Sequence, residues 1–272
     1  MASSVTGQSE AITAKQVDES VIAALAPQGV AKPAILAHID LTKPFNATSQ
    51  WTFVVVQESV PPQAAAMMED KGQIFVCLVK GVTPDCVQDF YAKPNSDQPR
   101  PDAPFHLLAS SIVHSRDEAS SALLLVRVCG PEGYNGNCAV ATALYKYDRR
   151  TDNFLRVFLN ITGRNNNEAT RFVDRGPLQG YVVVDYPTQN PPYVYWVEVY
   201  RAGPSGQYAR ILRYRGRTRY GDGNPLAVAD SEMPEILRRL GMRKASDPLP
   251  VPAHLPQGCS HLVLLHGEEW CR

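Results

Sequence analysis

The sequence lacks the short motifs that most directly identify an enzyme. It contains no Gly-x-Ser-x-Gly elbow, no phosphate-binding Walker loop, no Gly-x-Gly-x-x-Gly after a strand and no His-Glu-x-x-His helix. The sequence therefore has none of these usual signatures of hydrolases, nucleotide-binding domains and zinc proteases. We therefore expect no catalytic residue of these classes and no cofactor.

The chain also lacks net charge and long apolar runs. Its 27 Lys and Arg residues balance its 27 Asp and Glu residues, so no general attraction to nucleic acid or to an anionic membrane is expected. No stretch approaches the ~18 apolar residues of a membrane span. Residues 1–10 have neither the basic nor the apolar region of a signal peptide.

Cysteine, in contrast, is plentiful and regularly placed. The six cysteines form three local pairs, Cys77 with Cys86, Cys129 with Cys138, and Cys259 with Cys271. The first two pairs each enclose eight residues rich in turn formers, as bridges across loops between strands would. Because such bridges persist outside the reducing cytosol, the pattern predicts a periplasmic or secreted protein whose signal peptide has been removed. The alternative is six separate buried thiols in a cytosolic protein.

Residue patterns along the chain predict a mainly β fold. Helical spacing occurs at 11–26 and 62–71. Runs rich in β-branched and aromatic residues predict strands at 51–57, 73–80, 105–114, 122–129, 139–148, 153–162, 181–186, 193–201, 208–213 and 215–220. Between 122 and 220 the short intervals leave no room for crossover helices, so we expect an antiparallel meander forming an open sheet or a sandwich, with a few peripheral helices.

A weak internal repeat accompanies this pattern. The segment from Tyr147 to Phe158 resembles that from Tyr200 to Leu212, and 123–128 resembles 181–186. Repeated hairpin units of this kind are also typical of propeller blades, although a closed propeller needs about four or more. Composition further divides the chain into an N-terminal helical or extended region over 1–50, a β-rich main domain over 51–245 and a Pro-rich, disulfide-fastened tail over 246–272.

The clearest electrostatic feature is a row of arginines at alternate positions. Arg213, Arg215, Arg217 and Arg219 alternate with residues that include Tyr214 and Tyr220. In an extended strand this spacing places all four guanidinium groups on one face, where they can bind carboxylates, phosphates or sulfates. The alternative is a solvated edge strand whose charges prevent edge-to-edge aggregation.

A loop rich in oxygen-bearing side chains follows the arginines. This segment contains four potential Ca²⁺ ligands, namely Asp222, Asn224, Asp230 and Glu232. The spacing does not match an EF-hand, so a sharp turn followed by a capped helix is the preferred interpretation. In that helix Asp230 or Ser231 would be the N-cap.

Residue types in the sequence indicate two further candidate sites. Cys138 could act as a nucleophile with His254, His261 or His266 as base, but its pairing with Cys129 argues against a free thiolate. The C-terminal group of Cys259, His261, His266, Glu268, Glu269 and Cys271 has zinc-ligand chemistry without the usual ligand spacing.

The sequence therefore predicts an extracytoplasmic binding or inhibitor-like protein and not a catalyst. Its expected partner is a protein or an anionic ligand with an acidic surface, and its expected contact residues are Tyr214, Tyr220 and the four arginines of the row. The alternatives are a Cys138-dependent hydrolase and a Ca²⁺-binding β protein that uses the Asp222 loop.

Overall fold

A computed structural model describes residues 12–59, 72–87, 104–116, 122–132, 136–164, 167–219, 221–252 and 255–272. Strands make up 46% of these residues and helices 12%, which confirms the mainly β class. The helix predicted over 62–71 and the side chain of Tyr220 lie outside the described residues.

The strands form three four-stranded antiparallel sheets and a C-terminal hairpin. The first sheet contains β1 (Ala34–Asp40), β2 (Trp51–Gln57), β3 (Ile74–Lys80) and β4 (Thr83–Val87). The second contains β5 (His106–His114), β6 (Ala122–Cys129), β7 (Val140–Asp148) and β8 (Asn153–Thr162). The third contains β9 (Ala169–Phe172), β10 (Val182–Pro187), β11 (Val194–Ala202) and β12 (Tyr208–Arg219). In each sheet the strands lie in sequence order, and none of these described sheets closes into a barrel.

This shared strand order accounts for the internal repeat. The two similar segments, which begin at Tyr147 and Tyr200, lie in the third and fourth strands of the second and third sheets. The similar runs 123–128 and 181–186 fall in the second strand of each sheet. The repeat is therefore a four-stranded meander, and the first sheet repeats the same order without a recognisable sequence likeness.

The described residues divide into two compact units. The first comprises those up to residue 87 together with 104–105 and 147–154, and the second comprises 106–146 and 155–272. This division follows spatial contacts, and the three-region division by composition stays a prediction.

In the first unit, helix α1 (Ala14–Leu25) covers one face of the first sheet. Thr13 and Gln16 form a capping box at its N-terminus. Val17, Val21 and Leu25 are buried against the sheet, because residues four apart lie on one side of a helix. A short 3-10 helix (Ala26–Gln28) ends the segment at Gly29, whose φ is 79°. The predicted helix over 11–26 is thereby confirmed.

The turn between β7 and β8 also belongs to the first unit and supplies a partly buried hydrogen-bond centre. The carboxylate of Asp152 accepts hydrogen bonds from Trp51 Nε1 at 3.0 Å and Tyr147 Oη at 2.7 Å. Lys80 Nζ lies 2.8 Å from the same carboxylate. These donors hold the pKa of Asp152 far below its usual range, with Lys80 the largest contributor.

In the second unit, the third sheet is buried on both faces. One face packs against the second sheet through a core that includes Leu144, Phe158 and Val184. The opposite face packs against helices α2 (Val228–Ser231) and α3 (Met233–Arg239). Because both faces of the sheet are buried, β10 begins with an unbroken run of apolar residues before Asp185.

The C-terminal region also contains structure that the sequence did not predict. Strands β13 (Leu262–Leu265) and β14 (Glu268–Cys271) form a hairpin joined by His266 and Gly267. Both turn residues have positive φ, at 54° and 93°, as a two-residue type I′ turn requires. Strands β1, β4 and β9 were likewise not predicted.

Candidate functional site

The four arginines lie on the exposed side of β12, which is an edge strand of the third sheet. We call Arg213, Arg215, Arg217 and Arg219 the arginine row. All four are exposed, whereas the intervening Tyr214, Gly216 and Thr218 are buried. This alternation follows from the two-residue period of an extended strand. The pairing of β12 with β11 is irregular opposite Val194 and Trp196, where β12 contains extra residues.

A buried carboxylate holds β12 from the opposite side. Glu232, between α2 and α3, is 1% exposed. Its Oε1 accepts hydrogen bonds from the backbone N–H of Arg217 at 2.6 Å and that of Thr218 at 3.0 Å. Thr218 Oγ1 donates to the same oxygen at 3.0 Å, and Tyr214 Oη donates to Oε2 at 2.9 Å. Glu232 therefore fixes the strand that carries the arginine row.

Two further features show how closely Glu232 approaches β12. A Cβ atom at Gly216 would lie 2.5 Å from Glu232 Oε1, so only glycine leaves room for the carboxylate. Burial, followed by the charge and hydrogen bond of Glu232, raises the pKa of Tyr214 far above its usual range. Tyr214 therefore stays protonated and remains a hydrogen-bond donor.

Arg213 differs from the other arginines because neighbouring side chains already engage it. Its Nε lies 3.2 Å from Glu198 Oε1, and its guanidinium carbon lies 4.4 Å from the centre of the Trp196 ring. Arg210 binds the same Glu198 oxygen at 2.8 Å. Burial acts to raise the pKa of Glu198, but hydrogen bonds from Tyr200 and Tyr186 and the charge of Arg210 outweigh it and lower the pKa. Arg213 thus belongs to an ion-pair network within the sheet.

Among the described residues, backbone carbonyls are the partners of the Arg215 and Arg217 side chains, and the Arg219 side chain projects from the strand. Arg215 donates to the carbonyl of Pro192 at 3.4 Å, and Arg217 donates to the carbonyl of His266 in the β13–β14 turn. The backbone N–H of Arg219 donates to Asp222 Oδ2 at 3.1 Å. Within the described part of the chain, none of these three guanidinium groups forms an ion pair with a carboxylate. Their charges are therefore available to a partner.

The Asp222 loop is arranged as a turn. Asp222 accepts from the backbone N–H groups of Arg219 and Asn224, and Asn224 Oδ1 accepts from that of Leu226. The other two proposed Ca²⁺ ligands are engaged separately, since Asp230 pairs with Arg171 and Glu232 binds β12. These contacts favour the turn interpretation over convergence of the four side chains on one ion.

The helix after this loop begins differently from the prediction. Asp230 and Ser231 are not N-caps but residues of α2, and Glu232 precedes α3. The physical reason is that their side chains have other partners: Asp230 binds Arg171, and Ser231 Oγ accepts from Asn224 at 3.0 Å. Pro234 lies in the first turn of α3, and Gly241 follows this helix with φ 69°.

All six cysteines are paired as predicted. The bridges Cys77–Cys86, Cys129–Cys138 and Cys259–Cys271 have Cα separations of 4.0, 5.9 and 5.4 Å, within the ~7 Å that a disulfide needs. They are compatible with an extracellular location. No described helix is long and apolar enough to cross a membrane.

The bridges also bear on the alternative sites. Cys138 is bonded to Cys129 and is 5% exposed, so it offers no thiolate nucleophile, and His254 lies outside the described residues. Cys259 and Cys271 are bonded as well, which removes both thiolates from the C-terminal zinc-type group. The one cluster of ligand-type side chains found among the described residues, Cys129, Glu132 and Cys138, includes a disulfide.

Sequence reasoning did not predict that two carboxyl groups of the second unit are buried. Asp185 and Glu269 are each 0% exposed. Burial raises the pKa of Asp185 to about 8, against the opposing charge of Arg171. An acid at the end of the apolar run in β10 is the feature that would have identified it.

Comparisons of the chain with family models, with curated proteins and with solved structures find no match.

Proposed function

We propose that the protein is an extracytoplasmic binding protein that holds an acidic partner protein through Arg215, Arg217 and Arg219. The observation that carries this proposal is that three exposed guanidinium groups lie together on an edge strand without a described carboxylate partner. Arginine is a preferred anchor at protein interfaces because its planar group binds carboxylates in a bidentate manner.

The rigidity of β12 supports a role in recognition. Glu232 and Tyr214 fix the strand from its buried side, and the side chain of Arg217 rests on the β13–β14 turn. A preorganised surface loses less conformational entropy on binding than a mobile one. The arginine row is therefore a better binding surface than the same residues would be in a loop.

The local charge supports an acidic partner. From Arg171 to Arg219 the chain has eight arginines and three acids, Asp174, Asp185 and Glu198, within a protein of no net charge. Asp185 is buried and Glu198 is already paired with Arg210 and Arg213. The exposed surface near β12 is thus positive, which would accelerate association with an acidic protein at low salt.

Retention on immobilised polyglutamate tests the proposal. The test variant is Arg215→Ala/Arg219→Ala, since Arg217 also contacts the hairpin and its removal would disturb the fold. We expect this variant to elute at lower salt than the wild type, because exposed ion pairs are screened by salt. Its Tm should be nearly unchanged, since exposed arginines contribute less than about 1 kcal/mol to folding.

The matched control is Arg149→Ala/Arg150→Ala. These two exposed arginines lie in the β7–β8 turn and give the same change in net charge. The control should elute with the wild type. If both double variants elute at the same salt concentration, net charge alone governs retention. If neither differs from the wild type, the row serves only to protect the edge of the sheet. Either result would refute the proposal.

A further inference from the structure

The second unit also contains a cavity of about 230 Å³, which lies between the end of β9, helix α3 and the C-terminal region. Its walls are largely apolar and include Leu178, Met233 and Leu237. Three charged lining residues lie close together, because Arg171 pairs with Asp230 and the charge of Asp230 acts on Glu269. We call these three residues the polar end of the cavity. This volume is below the ~300–1,000 Å³ of typical ligand pockets, which suits a ligand smaller than a typical drug.

Glu269 is the unusual group at the polar end. It is 0% exposed, and neither of its carboxylate oxygens accepts a hydrogen bond from a described residue. Buried polar groups are nearly always hydrogen-bonded, and an unpartnered carboxylate is costly. Burial, together with the nearby charge of Asp230, raises the pKa of Glu269 to about 7, while Arg243 opposes the shift.

The other charges at this end are already compensated. Arg171 forms an ion pair with Asp230, and its positive charge also acts on the buried Asp185. Arg175 and Asp174 add one charge of each sign to the lining. With Glu269 ionised, the lining therefore has one more acid than base. A cation relieves this imbalance, whereas an anion increases it.

We infer that the cavity is a binding site for a small amphipathic cation whose ammonium group hydrogen-bonds to Glu269 and whose hydrocarbon part packs against the apolar walls. An ammonium group supplies three donors, and a hydrogen bond to a charged acceptor in a desolvated site is among the stronger ones. This site is separate from the arginine row, and it takes a ligand of the opposite charge.

Binding of benzylammonium to the full-length protein tests the inference. Calorimetry at about pH 8 should detect binding, because Glu269 is ionised there while the ammonium, like that of Lys, stays protonated. Glu269→Gln keeps the shape of the side chain and should weaken binding by about 10-fold or more. Glu235→Gln, in α3, should bind like the wild type, because Glu235 pairs with Arg238 and Arg239.

Two ligands of similar shape act as controls for charge. Benzyl alcohol, which is neutral, and benzoate, which is anionic, should bind more weakly than benzylammonium. Preference for benzoate would assign the cavity to anions through Arg171 and Arg175 and would overturn the inference. Equal binding of benzylammonium and benzyl alcohol would also overturn it, since the apolar walls alone would then account for affinity.

The pH dependence of the wild type provides a test that needs no variant. Asp230 and Arg243 are the charged groups that act on Glu269 from neighbouring segments. Benzylammonium affinity should therefore fall as the pH is lowered from about 8 to about 6, where Glu269 becomes protonated. Constant affinity over this range would exclude Glu269 as the group that binds the cation.

Discussion

Replacement of Glu232 tests how the strand carrying the arginine row is held. Glu232→Ala removes the acceptor for the backbone N–H groups of Arg217 and Thr218, the hydroxyl of Thr218 and the hydroxyl of Tyr214. The Thr218 hydroxyl keeps a contact with Ser231 Oγ at 3.3 Å. The other three donors have no remaining partner in these contacts.

The expected loss of stability follows from this count. A buried donor without a partner costs about 1–3 kcal/mol, and water entering the vacated space would offset part of the total. We expect Glu232→Ala to lower the free energy of unfolding by about 3–5 kcal/mol. Glu232→Gln keeps a carbonyl oxygen but places an NH₂ group against other donors, so its cost should be about 2 kcal/mol.

Urea denaturation followed by circular dichroism measures the loss. Hydrogen exchange at the amides of Arg217 and Thr218 locates it, because their protection should fall in both variants. Glu235→Ala is the matched control in the same helical region, where exposed arginine partners limit the expected cost to less than about 1 kcal/mol. A Glu232→Ala loss no larger than that of Glu235→Ala would refute the role assigned to this carboxylate.

Two further predictions concern other groups of the second unit. Because the pKa of the Asp185 carboxyl is raised to about 8, its protonated form contributes stability that is lost as the pH rises from about 4 to about 8. Relative to Asp185→Asn, the free energy of unfolding of the wild type should therefore fall across this range by up to about 1.4 kcal/mol per pH unit. Urea denaturation at several pH values measures it, and parallel pH profiles of the two proteins would contradict the prediction. Because Asp222 and Asn224 cap their own turn, adding Ca²⁺ or EDTA should leave the Tm unchanged, and a rise of several degrees with Ca²⁺ would show a native-state ion site.

Features set by local periodicity could be predicted from the sequence. The alternation of Arg213 to Arg219 predicted their common exposed face, and the apolar spacing of Val17, Val21 and Leu25 predicted α1. The disulfides were predictable because each closes a short loop between strands or within the tail.

Features that depend on distant segments could not be predicted in this way. Strand β9 has only four residues and is defined by its pairing with β10. The sequence marks Glu232 as a potential Ca²⁺ ligand, whereas its burial depends on the approach of β12 across Gly216. An isolated glycine within a strand indicates such close contact, but it does not identify the residue that approaches. The cavity beside Glu269 likewise depends on three segments that are far apart in sequence.

The most direct test of the binding surface is hydrogen exchange of the wild-type protein with and without a soluble polyglutamate peptide. The peptide should slow exchange at residues 213–219 and in the β13–β14 turn, where Arg217 rests, and salt should abolish this protection. Protection confined to other exposed arginines, such as Arg149 and Arg150, or no protection of β12 at low salt, would contradict it.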